Sequence, residues 1–248
     1  MSRNIEAIFL DTGNTMRIVE EDGTFQHRVR QRIAELVGTQ ESPDAFCDRL
    51  GERYDAYKHW AKETLIQASE KELWTRWLLP DFPPEKIAPL AGKLTRLWIE
   101  RDGRRIIRPD AKPTVIELSR RGYALGIIAN TISETEIPDW LEGDGLMSYF
   151  KAIVLSSRFG RRKPDMEIYL EAARIAGVEP ARCAYVGDNP SRDILGARQA
   201  GFGMVIILLE QATLKKEPPR GKDKPDGFIR TCSDLLNFFP PRNIPDGN

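Results

Sequence analysis

After residue 113 the chain settles into a rhythm that few folds accommodate. Helical stretches alternate with apolar runs of strand length. "TVIELSRRG" (114–122) precedes "ALGIIAN" (124–130), and "KAIVLSS" (151–157) precedes "PDMEIYLEAARIAGV" (164–178). "ARCAYVGD" (181–188) precedes "SRDILGARQAG" (191–201), and "GMVIILL" (203–209) follows. "DGFIRTCSDLLNFF" (226–239) adds a short strand and a helix. Strand and helix alternating at such intervals predict an α/β domain: a doubly wound, mostly parallel, Rossmann-like sheet.

One strand stands apart from this series. "IEAIFLD" (5–11) reads as a buried strand that rises to a single charge, Asp11. The texture from Ile18 to Arg108 is helical. "HRVRQRIAELVG" (27–38) carries Val29, Ile33 and Val37 at helical spacing and stops at Gly38. "SPDAFCDRL" opens on a Ser cap with Pro at the first helical position, and its helix runs on towards Ala68. "EKELWTRWLL" (70–79) predicts a third helix and 83–103 a fourth, broken near Pro89. Trp60, Trp74, Trp77 and Trp98 all fall here, as packing for a small helical bundle. The organisation expected is therefore an α/β core from 1–17 and 109–248, with a helical domain of 18–108 inserted after strand one.

Composition narrows the partners. Lys+Arg and Asp+Glu are both 37, so no net charge draws the chain to nucleic acid or an anionic membrane. No window reaches the ~20 apolar residues of a membrane span, and the N-terminal run has a strand's length and no leader architecture. The charged, Pro-rich "KKEPPRGKDKP" (215–225) reads as a solvated loop. Cys47, Cys183 and Cys232 are odd in number and widely spaced, which predicts thiols in a reducing cytoplasm rather than disulfides or a zinc site.

In a parallel open sheet, ligands bind beyond the carboxyl ends of the strands. Those ends carry Asp11; Asn130 and Thr131; Lys163 beyond the 151–157 strand; and Asp188, with Asp193 five residues on. Each alone has a plain structural explanation, since a strand-end Asp commonly caps a helix. Together they suit phosphoryl transfer. Two carboxylates from separate strands can hold Mg²⁺, which prefers oxygen. An aspartate can then attack phosphorus as nucleophile, a lysine neutralises charge, and an amide or hydroxyl binds a phosphate oxygen.

Four blocks in this order, "IFLDTGNT", "LGIIANT", "GRRKPDMEIY" and "YVGDNPSRDILGARQAG", resemble the haloacid dehalogenase-like superfamily, most of whose members are Mg²⁺-dependent phosphatases. The helical insertion resembles that superfamily's C1-type cap. The resemblance implies Asp11 as nucleophile and metal ligand, with the Gly13 carbonyl and Asp188 as further ligands. It makes Lys163 the charge-neutralising lysine, and gives Asp193 the metal site or the orientation of Lys163. Thr15 matches the threonine that closes the first block. The implied protein is a cytoplasmic monomer or homodimer acting on a small phosphorylated molecule.

Two positions depart from the pattern. The second aspartate of the first block, the general acid/base, is Gly13 here. Where the second block offers Ser or Thr, this chain has Ala129, followed by Asn130 and Thr131. The expectation is therefore weak or atypical hydrolysis. The alternative is a degenerate member that binds a phosphorylated ligand or a protein partner. Dehalogenases of the superfamily also lack the second aspartate, but they typically lose the acid retained here as Asp188. A phosphonatase-like reading needs a Schiff-base lysine, and none of the lysines in the helical insertion stands out. His27 and His59 are the titratable groups of the insertion that could supply a proton.

Overall fold

A computed structural model describes residues 4–210 and 224–242. Most of the predicted 215–225 loop lies outside the described residues. Six parallel strands form one sheet in the order β5-β4-β1-β6-β7-β8. They are β1 (Ala7–Leu10), β4 (Ala124–Ala129), β5 (Phe150–Leu155), β6 (Cys183–Gly187), β7 (Met204–Leu208) and β8 (Gly227–Ile229). β1 lies at the centre with all four residues buried, as expected for a strand covered on both faces.

Register sets where the strand ends fall. Leu10 is level with Ile127 of β4 and Val186 of β6. Asp11, Asn130 and Asp188 therefore leave the sheet at one edge, within a residue or two of each other in height. The strand order doubles back at β1, the position where open α/β sheets bind ligands.

Helices cover both faces. One apolar layer packs helix 111–120 and the short helix Leu235–Phe238 against the sheet, with Val115, Leu118 and Leu235 buried. The other packs helix 166–176, with Ile168, Tyr169 and Ala172 buried against Phe9 and Tyr185. Gly126 permits this close packing, because a Cβ there would strike the Phe9 ring.

Residues 23–100 build a separate core around Trp74, Trp98, Tyr57 and Ile33. α1 (Gly23–Val37) begins at Asp22, whose side chain accepts from the Phe25 amide at 2.9 Å, and ends at Gly38 with φ 74°. α2 (Pro43–Thr64) starts at the predicted Ser42 cap. It stops at Leu65, in the left-handed region, short of the expected Ala68. Beyond it the chain is drawn out towards the sheet domain: Ile66 bridges Arg161, and the Gln67 amide donates to the Gly160 carbonyl at 3.0 Å. Trp74 is fully buried and donates to Thr95 Oγ1 at 2.8 Å, the partner a buried indole needs.

Three local expectations change. The edges of the helical segment hold two strands, β2 (Arg17–Glu20) and β3 (Arg104–Ile107), paired antiparallel with Arg17 opposite Ile107. Four residues with exposed Val19 and Ile106 are too short for an alternation to register in the sequence. The third predicted helix is one turn, Glu70–Glu72, that widens into a π-type turn over Leu73–Leu78. The same widening opens the predicted 191–201 helix, over Pro190–Ile194. The expected break near Pro89 is present as a short 3₁₀ turn, Ala88–Leu90. All three cysteines are buried and unpaired, and burial pushes Cys47 up to about 11 and Cys183 and Cys232 up to about 12. Such thiols are inert at neutral pH.

Candidate active site

The apolar β1 run delivers Asp11 into a nearly closed environment, where it is 5% exposed. Its amide donates to the Val186 carbonyl at 2.8 Å, continuing the β1–β6 ladder one step past the strand. The chain then turns sharply: the Met16 and Arg17 amides both return to the Thr12 carbonyl, and Asn14 adopts φ 56°. Asn is among the few non-glycine residues that tolerate this region. The turn aims the Asn14 amide at Asp188 Oδ2, 3.2 Å away.

Asp11 Oδ1 accepts from the Thr12 amide at 2.8 Å and lies 3.1 Å from Lys163 Nζ. Lys163 is buried and also lies 3.1 Å from Asp193 Oδ1. Its ammonium donates a third bond to Tyr185 Oη, which donates in turn to the Ile128 carbonyl at 3.2 Å. A lysine charge is stable in such a place only when paired and fully hydrogen-bonded, and here all three donors are used.

Asn130 fixes this lysine from behind. Its Nδ2 donates to the Lys163 carbonyl at 3.0 Å, and its Oδ1 accepts from the Lys163 amide at 2.8 Å. The amide expected to bind phosphate is thus spent on the main chain of Lys163. Thr131 uses its Oγ1 to accept from the Ser133 amide at 3.1 Å, while its own amide donates to Ser156 Oγ at 2.9 Å.

Asp188 and Asp193 complete a group of three buried carboxylates with Asp11, their ligand oxygens within 4.8 Å of one another. Asp193 tucks under the end of β6 because residue 187 is glycine; a Cβ there would collide with the Asp193 carboxylate. Burial pushes Asp193 up, but the Arg192 and Lys163 charges and the Asn189 amide outweigh it and lower the group to about 2.

Sequence reasoning passed over Arg192. Its Nη2 lies 2.9 Å from Asp11 Oδ2, 3.4 Å from Asp188 Oδ1 and 3.3 Å from Asp193 Oδ2, while Nε donates to Asp193 Oδ1 at 2.9 Å. The guanidinium occupies the focus of the three acids. With Lys163 it sets two cations against three carboxylates. The available signal was its place in "NPSRD", directly before Asp193 on the turn that carries both.

Position 13 faces open space: a Cβ there would meet nothing within 4 Å. Gly13, Thr12, Asn130 and Thr131 form one wall of a cavity of about 180 Å³, and Tyr54, Trp98 and Arg101 of the helical segment contribute the other. Thr15 is not at this edge; it is buried against apolar neighbours with its hydroxyl unpartnered. His59 is exposed on α2 beside Glu63, and His27 is exposed on α1 with Gln31 3.0 Å away; neither lines this cavity.

A family model described as "haloacid dehalogenase-like hydrolase" matches residues 5–201. The chain is 34% identical over 132 residues to the glyceraldehyde 3-phosphate phosphatase of Methanopyrus kandleri, covering 52% of this chain and about half, 54%, of that protein. It is 26% identical over 230 residues to the phosphoserine phosphatase of Thermus thermophilus, covering 82% and 90%. It is 32% identical over 193 residues to haloacid dehalogenase-like hydrolase domain-containing protein 3 of Homo sapiens, covering 72% and 73%. Among solved structures, a HAD phosphatase from Thermococcus onnurineus shares the fold with a TM-score of 0.62 at 23% identity, covering 97% of this chain and 100% of that one. A 2-haloacid dehalogenase from Pseudomonas syringae does so at 0.68 and 21%, covering 94% and 97%. The chain belongs to the haloacid dehalogenase-like hydrolases.

Proposed function

We propose that this protein hydrolyses small phosphomonoesters with Mg²⁺, through attack of Asp11 on phosphorus, beneath a cap formed by residues 18–108. The observation that carries this reading is the Asp11 carboxylate, held at a strand end by Lys163 and grouped with Asp188 and Asp193. Relatives named as phosphatases of glyceraldehyde 3-phosphate and phosphoserine support it.

The donor set fits Mg²⁺, since three buried carboxylates offer only hard oxygen ligands. Asp11, Asp188 and Asp193 would hold the ion with the Gly13 carbonyl, and Arg192 has to leave their focus for it. Bound there, the ion offsets phosphate charge so that an anionic nucleophile can approach. Lys163 spreads the negative charge of Asp11 and of the phosphoryl group in transfer. Asp193 and Asn130 keep that lysine in place. An Asp11 oxygen forms a bond to phosphorus as the phosphorus–alcohol oxygen bond breaks. The leaving oxygen takes its proton from water, because position 13 carries no carboxyl. Water then cleaves the acyl phosphate, releasing inorganic phosphate and restoring Asp11.

The test is turnover of p-nitrophenyl phosphate and a panel of phosphomonoesters with Mg²⁺, beside Asp11→Asn. Phosphate release that disappears in the variant supports the reading; release that survives refutes it. A second reading, a phosphoryl-ligand binder that does not turn over, is favoured by Gly13 and by the Arg192 guanidinium among the acids. It predicts Mg²⁺-dependent ligand binding with no phosphate release.

A further inference from the structure

The cavity beyond Gly13 carries a charge that the chemistry at Asp11 does not use. Three arginines line it, Arg17, Arg101 and Arg105, against two acids, Glu136 and Asp102. Arg17 has its charge paired: both terminal nitrogens donate to Glu136, at 2.6 and 3.0 Å, its guanidinium lies over Trp140, and its Nε is buried without a hydrogen-bond partner. Arg101 lies 3.3 Å from Asp102, donates to the Trp98 carbonyl at 2.9 Å and rests on the Trp98 ring, 3.5 Å from its centroid. That accounts for both acids and leaves Arg105.

Arg105 points from β3, and its Nη1 donates to the Ile99 carbonyl at 2.7 Å. Among the described residues no carboxylate pairs with it within 4.0 Å. A guanidinium has five N–H donors, so most of its hydrogen-bonding capacity is left over. Burial works against its charge, although it lies within the field of Glu136 and Asp102. Holding a half-buried cation without its own counter-anion costs free energy that a bound anion returns.

We propose that Arg105 binds a second anionic group of the substrate, a carboxylate or a second phosphate, while the reacting phosphoryl group sits at Asp11. The guanidinium fork suits either anion, gripping two oxygens at once. Arg105 borders two cavities, one of about 180 Å³ that reaches Thr12 and Gly13 and one of about 520 Å³ that shares Arg17, Ile99 and Glu136 with it. The substrate class is therefore a phosphomonoester with a second anion away from the reacting phosphoryl group. This assignment rests on the hydrolytic reading above for the position of the phosphoryl group.

The test compares pairs that differ in the second anion: 3-phosphoglycerate with glycerol 3-phosphate, and propane-1,3-diol bisphosphate with its monophosphate. Wild type is expected to favour an anionic member by about tenfold or more in kcat/KM, mainly through KM, the size expected of a charged hydrogen bond. Whichever pair shows the preference identifies the anion. Arg105→Gln brings that ratio close to one, and Arg105→Lys, which keeps the charge without the fork, retains part of it. A wild-type enzyme indifferent to the second anion overturns the proposal, as does an Arg105→Gln protein with its preference intact. The same pairs titrated calorimetrically into Asp11→Asn protein give the preference without turnover. Absent hydrolysis with a preserved, Arg105-dependent binding preference would thus refute the hydrolytic reading alone.

Discussion

Replacing Gly13 by Asp isolates the chemical consequence of the missing carboxylate. The structure places little in its way. A Cβ at position 13 meets no atom within 4 Å, and the residue is not in the left-handed region that favours glycine. The new carboxylate would extend into the cavity lined by Arg17, Arg101 and Arg105. A general acid/base contributes typically ~10²–10⁴-fold. Arg17 and Arg101 are paired with Glu136 and Asp102, so the net cation of this wall is Arg105; it favours the ionised carboxylate, which serves better as the base that activates water than as the acid that protonates the leaving group. The expected gain in kcat therefore sits near the lower end, ~10²-fold, and is largest where hydrolysis of the acyl phosphate limits turnover. The assay is steady-state kcat on p-nitrophenyl phosphate at saturating Mg²⁺, with circular dichroism to establish that the variant folds. A folded Gly13→Asp protein with unchanged kcat refutes the reasoning, and shifts the defect to Ala129 or to Arg192.

Other outcomes follow from the same geometry. Arg192→Gln removes the cation that shares Asp11, Asp188 and Asp193, so Mg²⁺ should bind at least tenfold more tightly by calorimetry, about 1.4 kcal/mol; equal or weaker binding would show that Arg192 shapes the site rather than competing for it. Asn130→Ala severs both bonds to the Lys163 main chain and should cost about 1–3 kcal/mol in chemical denaturation, together with a fall in kcat. Asp193 is lowered from 3.8 to about 2 in the folded protein, so the stability it confers is present above about pH 4 and is lost as pH falls towards 2. Acid titration should therefore show a steeper loss of stability below pH 4 in wild type than in Asp193→Asn.

The sequence carried the sheet and its functional edge because parallel strands and strand-end carboxylates leave local marks. "IEAIFLD" and "ARCAYVGD" show an apolar run and a polar terminus, and those two features are what bring Asp11 and Asp188 together. The roles of Asn130 and Arg192 left no such mark. Asn130 acts through the main chain of a residue 33 positions away, and Arg192 through a turn that widens to π geometry. Both depend on tertiary placement that neither propensity nor spacing encodes. The β2–β3 ribbon was missed for a related reason: four residues per strand, half exposed, resemble the ends of helices. The excess charge at Arg105 needs the whole cavity wall to be visible, since Arg17 and Arg101 are neutralised by acids distant or adjacent in sequence.

The central claim is that Asp11 takes the phosphoryl group and, lacking a carboxylate at position 13, gives it up slowly. Mass spectrometry of protein quenched in acid after mixing with Mg²⁺ and a phosphomonoester tests this directly. The account predicts one phosphoryl group on the peptide containing Asp11, accumulating in wild type and depleted in Gly13→Asp. Phosphate release with no phosphoryl adduct on Asp11 in either protein would contradict it.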